Sequence, residues 1–262
     1  MLGLATGNSI VGIVTSAIAP SLIADAGWSK ADFALVGSLS LPMAFLLPFI
    51  GRLADVLGVR LTARIGLIAV PLVYIGFSLN GGSLKLYMAV FLLQTTVCVT
   101  TTAMVYTRLV VQHVERARGL ALALVTASPA VAGMIIGPIL NQYVETHGWQ
   151  AAYQALALCA SISGVVGFLL IPPDGQRAKG PRARPEKFSA AYREIFAARA
   201  FWILALAMLL CNLPQTLLLT QIKLLVMDQG ISGEGAAAML SAMSFGMLAG
   251  RLATGIALDR FP

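Results

Sequence analysis

Apolar residues gather in long stretches, and polar residues fall between them. Eight stretches stand out, at 2–24, 31–51, 65–80, 86–107, 119–140, 151–171, 201–224 and 236–257. A helix needs about 20 mostly apolar residues to cross a bilayer, so the pattern predicts eight transmembrane helices. The connections are short, except 172–200. That stretch is rich in Pro, Arg and Lys and reads as a solvated linker. Local chemistry marks some edges. Ser29-Lys-Ala-Asp32 has the capping-box pattern at the start of the second span. Pro172-Pro173 ends the sixth, because proline has no amide with which to continue a helix.

Composition sharpens this picture. Of the 262 residues, 58% are hydrophobic and 11% are charged. Soluble domains carry about 25% charged residues, which they need for a water-facing surface. The balance excludes a soluble enzyme, a disordered tail and a secreted disulfide scaffold. Cys98, Cys159 and Cys211 are scattered through apolar runs and read as buried thiols; His113 and His147 are isolated. They suggest no metal site, no redox pair and no cofactor. No basic segment precedes the first apolar run, so no cleavable signal peptide is expected.

The net charge of +7 points to orientation rather than to nucleic acid. Arg52, Arg60, Arg64, Arg108, Arg116, Arg118, Arg177, Lys179, Arg182, Arg184, Lys187, Arg193, Arg199, Arg251 and Arg260 follow the even-numbered spans. Only Lys30, Lys85 and Lys223 belong to the other side. Basic loops stay cytoplasmic. Both visible termini and the linker are therefore expected inside, in a multi-pass protein of a cell membrane such as the bacterial inner membrane.

The chain also repeats itself. Asp25-Ala-Gly27-Trp-Ser29 follows the first span and Asp228-Gln-Gly230-Ile-Ser232 the seventh. From Gly27 to Asp55 is 28 residues, and from Gly230 to Asp259 is 29. Two halves in the same direction are implied: a six-helix bundle at 1–171, a basic linker at 172–200, and a partial second bundle at 201–262 holding helices 7 and 8. This is the layout of a two-bundle secondary transporter. A second bundle of two spans, and an apolar run opening at Met1, lead us to expect a fragment of a twelve-helix protein.

Residues 51–60, Gly-Arg-Leu-Ala-Asp-Val-Leu-Gly-Val-Arg, directly follow the second span. They resemble the signature loop of the major facilitator superfamily, with Gly51, Asp55, Gly58 and Arg60 in its pattern. Three other segments resemble the monocarboxylate and oxalate/formate branch. They are residues 25–29, Arg118-Gly-Leu-Ala-Leu-Ala-Leu with Ser128-Pro129, and Gly250-Arg-Leu-Ala-Thr-Gly-Ile-Ala-Leu-Asp-Arg260. The chain departs from the animal monocarboxylate pattern in three places. No lysine lies in the first span, Met247 replaces an aspartate, and Val110 and Val111 replace an aromatic pair. The resemblance implies an all-α membrane protein with the major facilitator fold. It also implies alternating access and a central site for a small organic anion, with a coupled proton or an exchanged anion as second partner.

Arg251 is the leading candidate for that site. It lies eight residues before Asp259, about 12 Å deeper along a helix. An arginine at such depth is costly unless it faces a cavity or a partner, and its guanidinium offers a fork that matches a carboxylate. The alternative is that Arg251 snorkels to the interface. All eleven acids fall in loops or at span ends, which suits an anion better than a cation. Polar stripes mark possible cavity walls: Asn8 and Thr15 on the first span; Thr95, Thr102 and Tyr106 beside Gln94 and Thr101 on the fourth; Asn212, Thr216 and Lys223 beside Gln215 on the seventh. Each stripe is equally suited to interhelical hydrogen bonds. Lys223 reads as a snorkelling residue near the outer rim.

Asp55, Arg60 and Arg108, with Gly51 and Gly58, form a second set. Contacts among them would act as a latch between conformations. Gly133-x-x-x-Gly137 and Gly246-x-x-x-Gly250 read as close-packing positions, and Pro129 and Pro138 as bends in the fifth span. The expected function is secondary transport of a small mono- or dicarboxylate. The alternatives are the same fold carrying a sugar, nitrate or drug, or a fragment that moves nothing. An intramembrane enzyme would need a nucleophile–base pair or a metal set, and no catalytic residue stands out.

Overall fold

The computed structural model describes residues 2–40, 42–114, 118–171 and 196–260. Within these the regular structure is entirely helical. The first span is Leu2–Ala5, a 3-10 turn at Asn8–Ile10, and Val11–Ala26. The second is Lys30–Ser38 followed by Pro42–Leu57, and the third is Val59–Ser78. The fourth is Leu84–Val97, a 3-10 turn at Cys98–Thr101, and Ala103–His113. Arg118–Leu170 holds two rods, 118–147 and 149–170, because Gly148 takes φ 81° and reverses the chain. Arg199–Asp228 and Gly233–Arg260 are the seventh and eighth spans. Several helices run a turn or more beyond the apolar stretches, because helix propensity continues into the basic loops after hydropathy has stopped. Of the linker 172–200, residues 172–195 lie outside the described residues.

Among the described residues, Gly3–Ala26, Val59–Ser78, Leu84–His113, Arg118–Leu170 and Gly233–Ala257 are long and apolar enough to cross a membrane. Large apolar side chains such as Ile68, Leu72, Ile139, Leu158, Val165 and Leu204 are exposed. In water that surface would drive aggregation; against lipid it costs nothing.

Side-chain contacts show which rods run side by side. Arg64 Nη2 donates to the Phe168 carbonyl at 3.1 Å, and Phe77 stacks on Tyr153, with ring centroids 4.9 Å apart. The third and sixth spans are therefore antiparallel neighbours. Asn8 N–H donates to Thr101 Oγ1 at 2.9 Å, while Tyr106 packs on Gly3, so the first and fourth spans also pair antiparallel. At one end of the first bundle, Tyr87 and Tyr153 share a buried hydroxyl bond of 2.7 Å. Trp149 Nε1 donates to Asp25 Oδ2 at 2.8 Å beside them. This aromatic knot fixes the end opposite the basic loops.

The two outer turns that match in sequence are also alike in structure. Gly27 and Gly230 both take positive φ, 67° and 82°, a backbone that residues with a Cβ rarely adopt. Each turn is followed by a serine cap. Ser29 Oγ accepts from Asp32 N–H at 3.0 Å, completing the expected capping box, and Ser232 Oγ accepts from Gly235 N–H at 3.2 Å.

Candidate functional site

Residues 1–171 and 199–260, the segments on either side of the linker, meet along the fifth and eighth spans. Their contacts follow an antiparallel register: Glu145 with Gly233, Gly133 with Ser244, Thr126 with Arg251, and Gly119 with Gly255. Small residues allow the close approach. A Cβ on Gly119 would sit 2.6 Å from the Gly255 carbonyl, and one on Gly255 would overlap Ala123 Cβ. At the basic end Asp259 closes the seam. Its carboxylate accepts from Gly119 N–H at 2.7 Å and Leu120 N–H at 2.8 Å. These are first-turn amides without an intrahelical acceptor, and they favour a negative charge.

Arg251 lies on this seam, two turns deeper. Pro129 has no amide to give the Val125 carbonyl, and Ser128 Oγ takes its place at 2.7 Å. The next carbonyl, that of Thr126, accepts from Arg251 Nη1. Among the described residues, no carboxylate lies within 4 Å of the guanidinium. Arg251 is thus tethered by one hydrogen bond to a neutral group, with its charge uncompensated and much of its surface exposed.

The stripes on the first and fourth spans occupy a different interface. Both helices are interrupted where they cross. Thr101 Oγ1 caps Asn8 N–H there, while Gly7 and Gly66 admit Thr100 and Thr101. The threonine hydroxyls turn back on their own helix: Thr95 donates to the Leu92 carbonyl and Thr102 to the Val99 carbonyl, at 3.0 and 2.8 Å. Such back-bonding loosens a helix, in keeping with the 3-10 turn. Thr15 and Gln94 are buried. Tyr106 is 6% exposed, and its hydroxyl has no hydrogen-bond partner among the described residues. The side chains of Asn212, Gln215 and Thr216 lie outside the described residues.

Two sequence expectations are corrected. Lys223 does not snorkel. It is 3% exposed, and its Nζ donates to the Ala17 carbonyl at 3.2 Å and to Asn141 Oδ1. The first and fifth spans cover it, and a hydropathy profile does not register neighbours. Cys159 is exposed rather than a buried thiol. Among the described residues, a Cβ at Gly246 or Gly250 would meet nothing within 4 Å. The seam uses Gly255 and Ser244 on another face of that helix. The companion motif behaves as expected at Gly133, where Ile13 fills the space a Cβ would take.

The motif at 51–60 assembles a compact group at the basic end. Arg108 Nη1 donates to Asp55 Oδ1 and to the Gly51 carbonyl, the latter at 3.0 Å. Gly51 lies under Met104, and Gly58, at φ 90°, opens the third span two residues before half-buried Arg60. The two inner acids of the repeat therefore differ. Asp55 binds within the first bundle, while Asp259 bridges the halves. Sequence reasoning missed this bridge, and it missed Asn141 and Glu145, whose spacing of four on one helix face was the available signal.

The family model described as Major Facilitator Superfamily matches residues 2–262. No curated protein matches the chain.

Proposed function

The chain belongs to the major facilitator superfamily of membrane transporters, and on that footing we propose that it carries a small mono- or dicarboxylate by alternating access. One observation carries the substrate class. Arg251 is an arginine about 12 Å along the helix from Asp259, bonded to a neutral carbonyl and with no carboxylate within 4 Å among the described residues. A carbonyl satisfies one N–H and leaves the charge in place. A solute carboxylate would accept from the remaining fork. The resemblance to the monocarboxylate and oxalate/formate branch agrees with this.

In this reading the bundle 1–171 and the helices of 201–262 rock about the fifth–eighth seam, joined by the linker 172–200. Asn8, Thr15, Gln94, Thr102, Tyr106, Asn212 and Gln215 contribute polar groups to the path. The unpaired Tyr106 hydroxyl is the strongest of these. Gly51, Asp55, Gly58, Arg60 and Arg108 form the switch at the basic end, which faces the cytoplasm of a bacterial cell by the positive-inside rule. A proton or a second anion completes the cycle.

The test is flux of labelled acetate, lactate and oxalate into proteoliposomes holding the protein. Hydrogen bonds to a charged group contribute about 1.5–3 kcal/mol, so Arg251→Ala should lower flux at least tenfold. Arg251→Lys, which keeps the charge and loses the fork, should fall between. Equal flux in wild type and Arg251→Ala would refute the assignment.

A further inference from the structure

Lys223 is a second cation within the bundle, and the path through Arg251 makes no use of it. A buried ammonium is costly unless its N–H groups find acceptors, so its partners matter. Its Nζ donates to the Ala17 carbonyl and to Asn141 Oδ1, and neither acceptor is charged. Asn141 Nδ2 donates in turn to Glu145 Oε1 at 2.9 Å. One amide therefore stands between ammonium and carboxylate, and no carboxylate lies within 4 Å of Nζ among the described residues.

All these partners belong to the other half. Ala17 is on the first span and Asn141 on the fifth, while Lys223 is on the seventh. A second link, Lys30 to Asp228 at 2.5 Å, ties the same end of the seventh span to the second. Separating the halves at this end removes both acceptors from Nζ in one movement. An ammonium freed of its protein acceptors keeps its charge and offers its three donors to an anion entering the opened end.

Arg251 and Lys223 do not form one site. Their partners Thr126 and Asn141 are 15 residues apart on the fifth span, about 22 Å of helix. A small carboxylate does not bridge that distance, so the two cations act in succession.

We propose that Lys223 is an outer docking station for the carboxylate solute, covered here by Asn141 and Ala17 and uncovered when the end opposite the basic loops opens. On closing, Asn141 Oδ1 and the Ala17 carbonyl replace the solute on Nζ and send it on towards Arg251. This rests on the reading of Arg251 as the deeper carboxylate site.

The experiment compares uptake of labelled acetate, lactate and oxalate in right-side-out and inside-out membrane vesicles. Lys223→Met should raise KM about tenfold for uptake at the face opposite the basic loops, and less than twofold at the basic face. Lys223→Arg should restore most of the loss. Asn141→Ala removes the cover without removing the charge, and should lower KM at the opposite face. It serves also if Lys223→Met does not fold. A KM change equal on both faces, or no change, overturns the station. So does a raised or unchanged KM in Asn141→Ala. These results leave Arg251 untouched. Wild type that moves no carboxylate, or Arg251→Ala that moves as much as wild type, overturns the deeper site and the station with it.

Discussion

Asp259 is the most direct handle on the contact between the halves. Its two oxygens accept the Gly119 and Leu120 amides at 2.7 and 2.8 Å, across the gap that must widen for the basic end to open. Losing a helix cap costs about 0.5–2 kcal/mol, and losing a negative charge at a helix start about 0.3–1 kcal/mol. Asp259 is exposed, so the lower part of each range applies, and Asp259→Ala should cost about 1–2 kcal/mol. At about 1.4 kcal/mol per factor of ten, the open basic end should gain roughly five- to thirty-fold in population. Asp259→Asn keeps one acceptor oxygen and loses the charge, and should give about half that free energy. Spin labels at exposed Leu124 and Ile256, on the fifth and eighth spans, would report the change as a growing long-distance peak in double electron–electron resonance. If Asp259→Ala leaves the distance distribution of wild type, or Asp259→Asn opens the end more than Asp259→Ala, the cap does not hold the halves together.

Other substitutions test the packing directly. Gly255→Val overlaps Ala123 and should lower Tm and loosen the basic end; Gly250→Ala, in open space, should leave both unchanged, as thermal melts in detergent would show. Tyr106→Phe removes a buried hydroxyl without a partner, so stability should hold or rise by up to about 1 kcal/mol, while KM rises if that hydroxyl meets the solute; a fall in Tm would contradict the unpaired state. Tyr87→Phe strands the Tyr153 hydroxyl in the aromatic knot and should cost about 1–3 kcal/mol, read as a lower midpoint in a chemical melt; an unchanged midpoint would count against the buried bond.

Much of this molecule is legible along the chain. The spans, the serine caps after Gly27 and Gly230, and the change of direction from span to span all follow from local quantities. A stretch of apolar residues must leave water wherever it lies, and a glycine at positive φ needs no distant neighbour. Even Arg251 stands out, because depth along a helix can be counted from Asp259. The expectation for Lys223 failed for the complementary reason. Counting places it five residues from Asp228, near a rim, and cannot show that Ala17 and Asn141 lie across it. Gly246 and Gly250 carry a packing pattern, and the fifth–eighth seam uses Ser244, Arg251 and Gly255 on another face. The division has one physical cause. Hydropathy and capping act between residues close in sequence, so the chain alone determined an all-helical membrane protein and the turns that join its helices. Which faces touch depends on close packing between segments a hundred or more residues apart. Only the tertiary structure decided that Asp259 caps the fifth span and that Lys223 is buried between the halves.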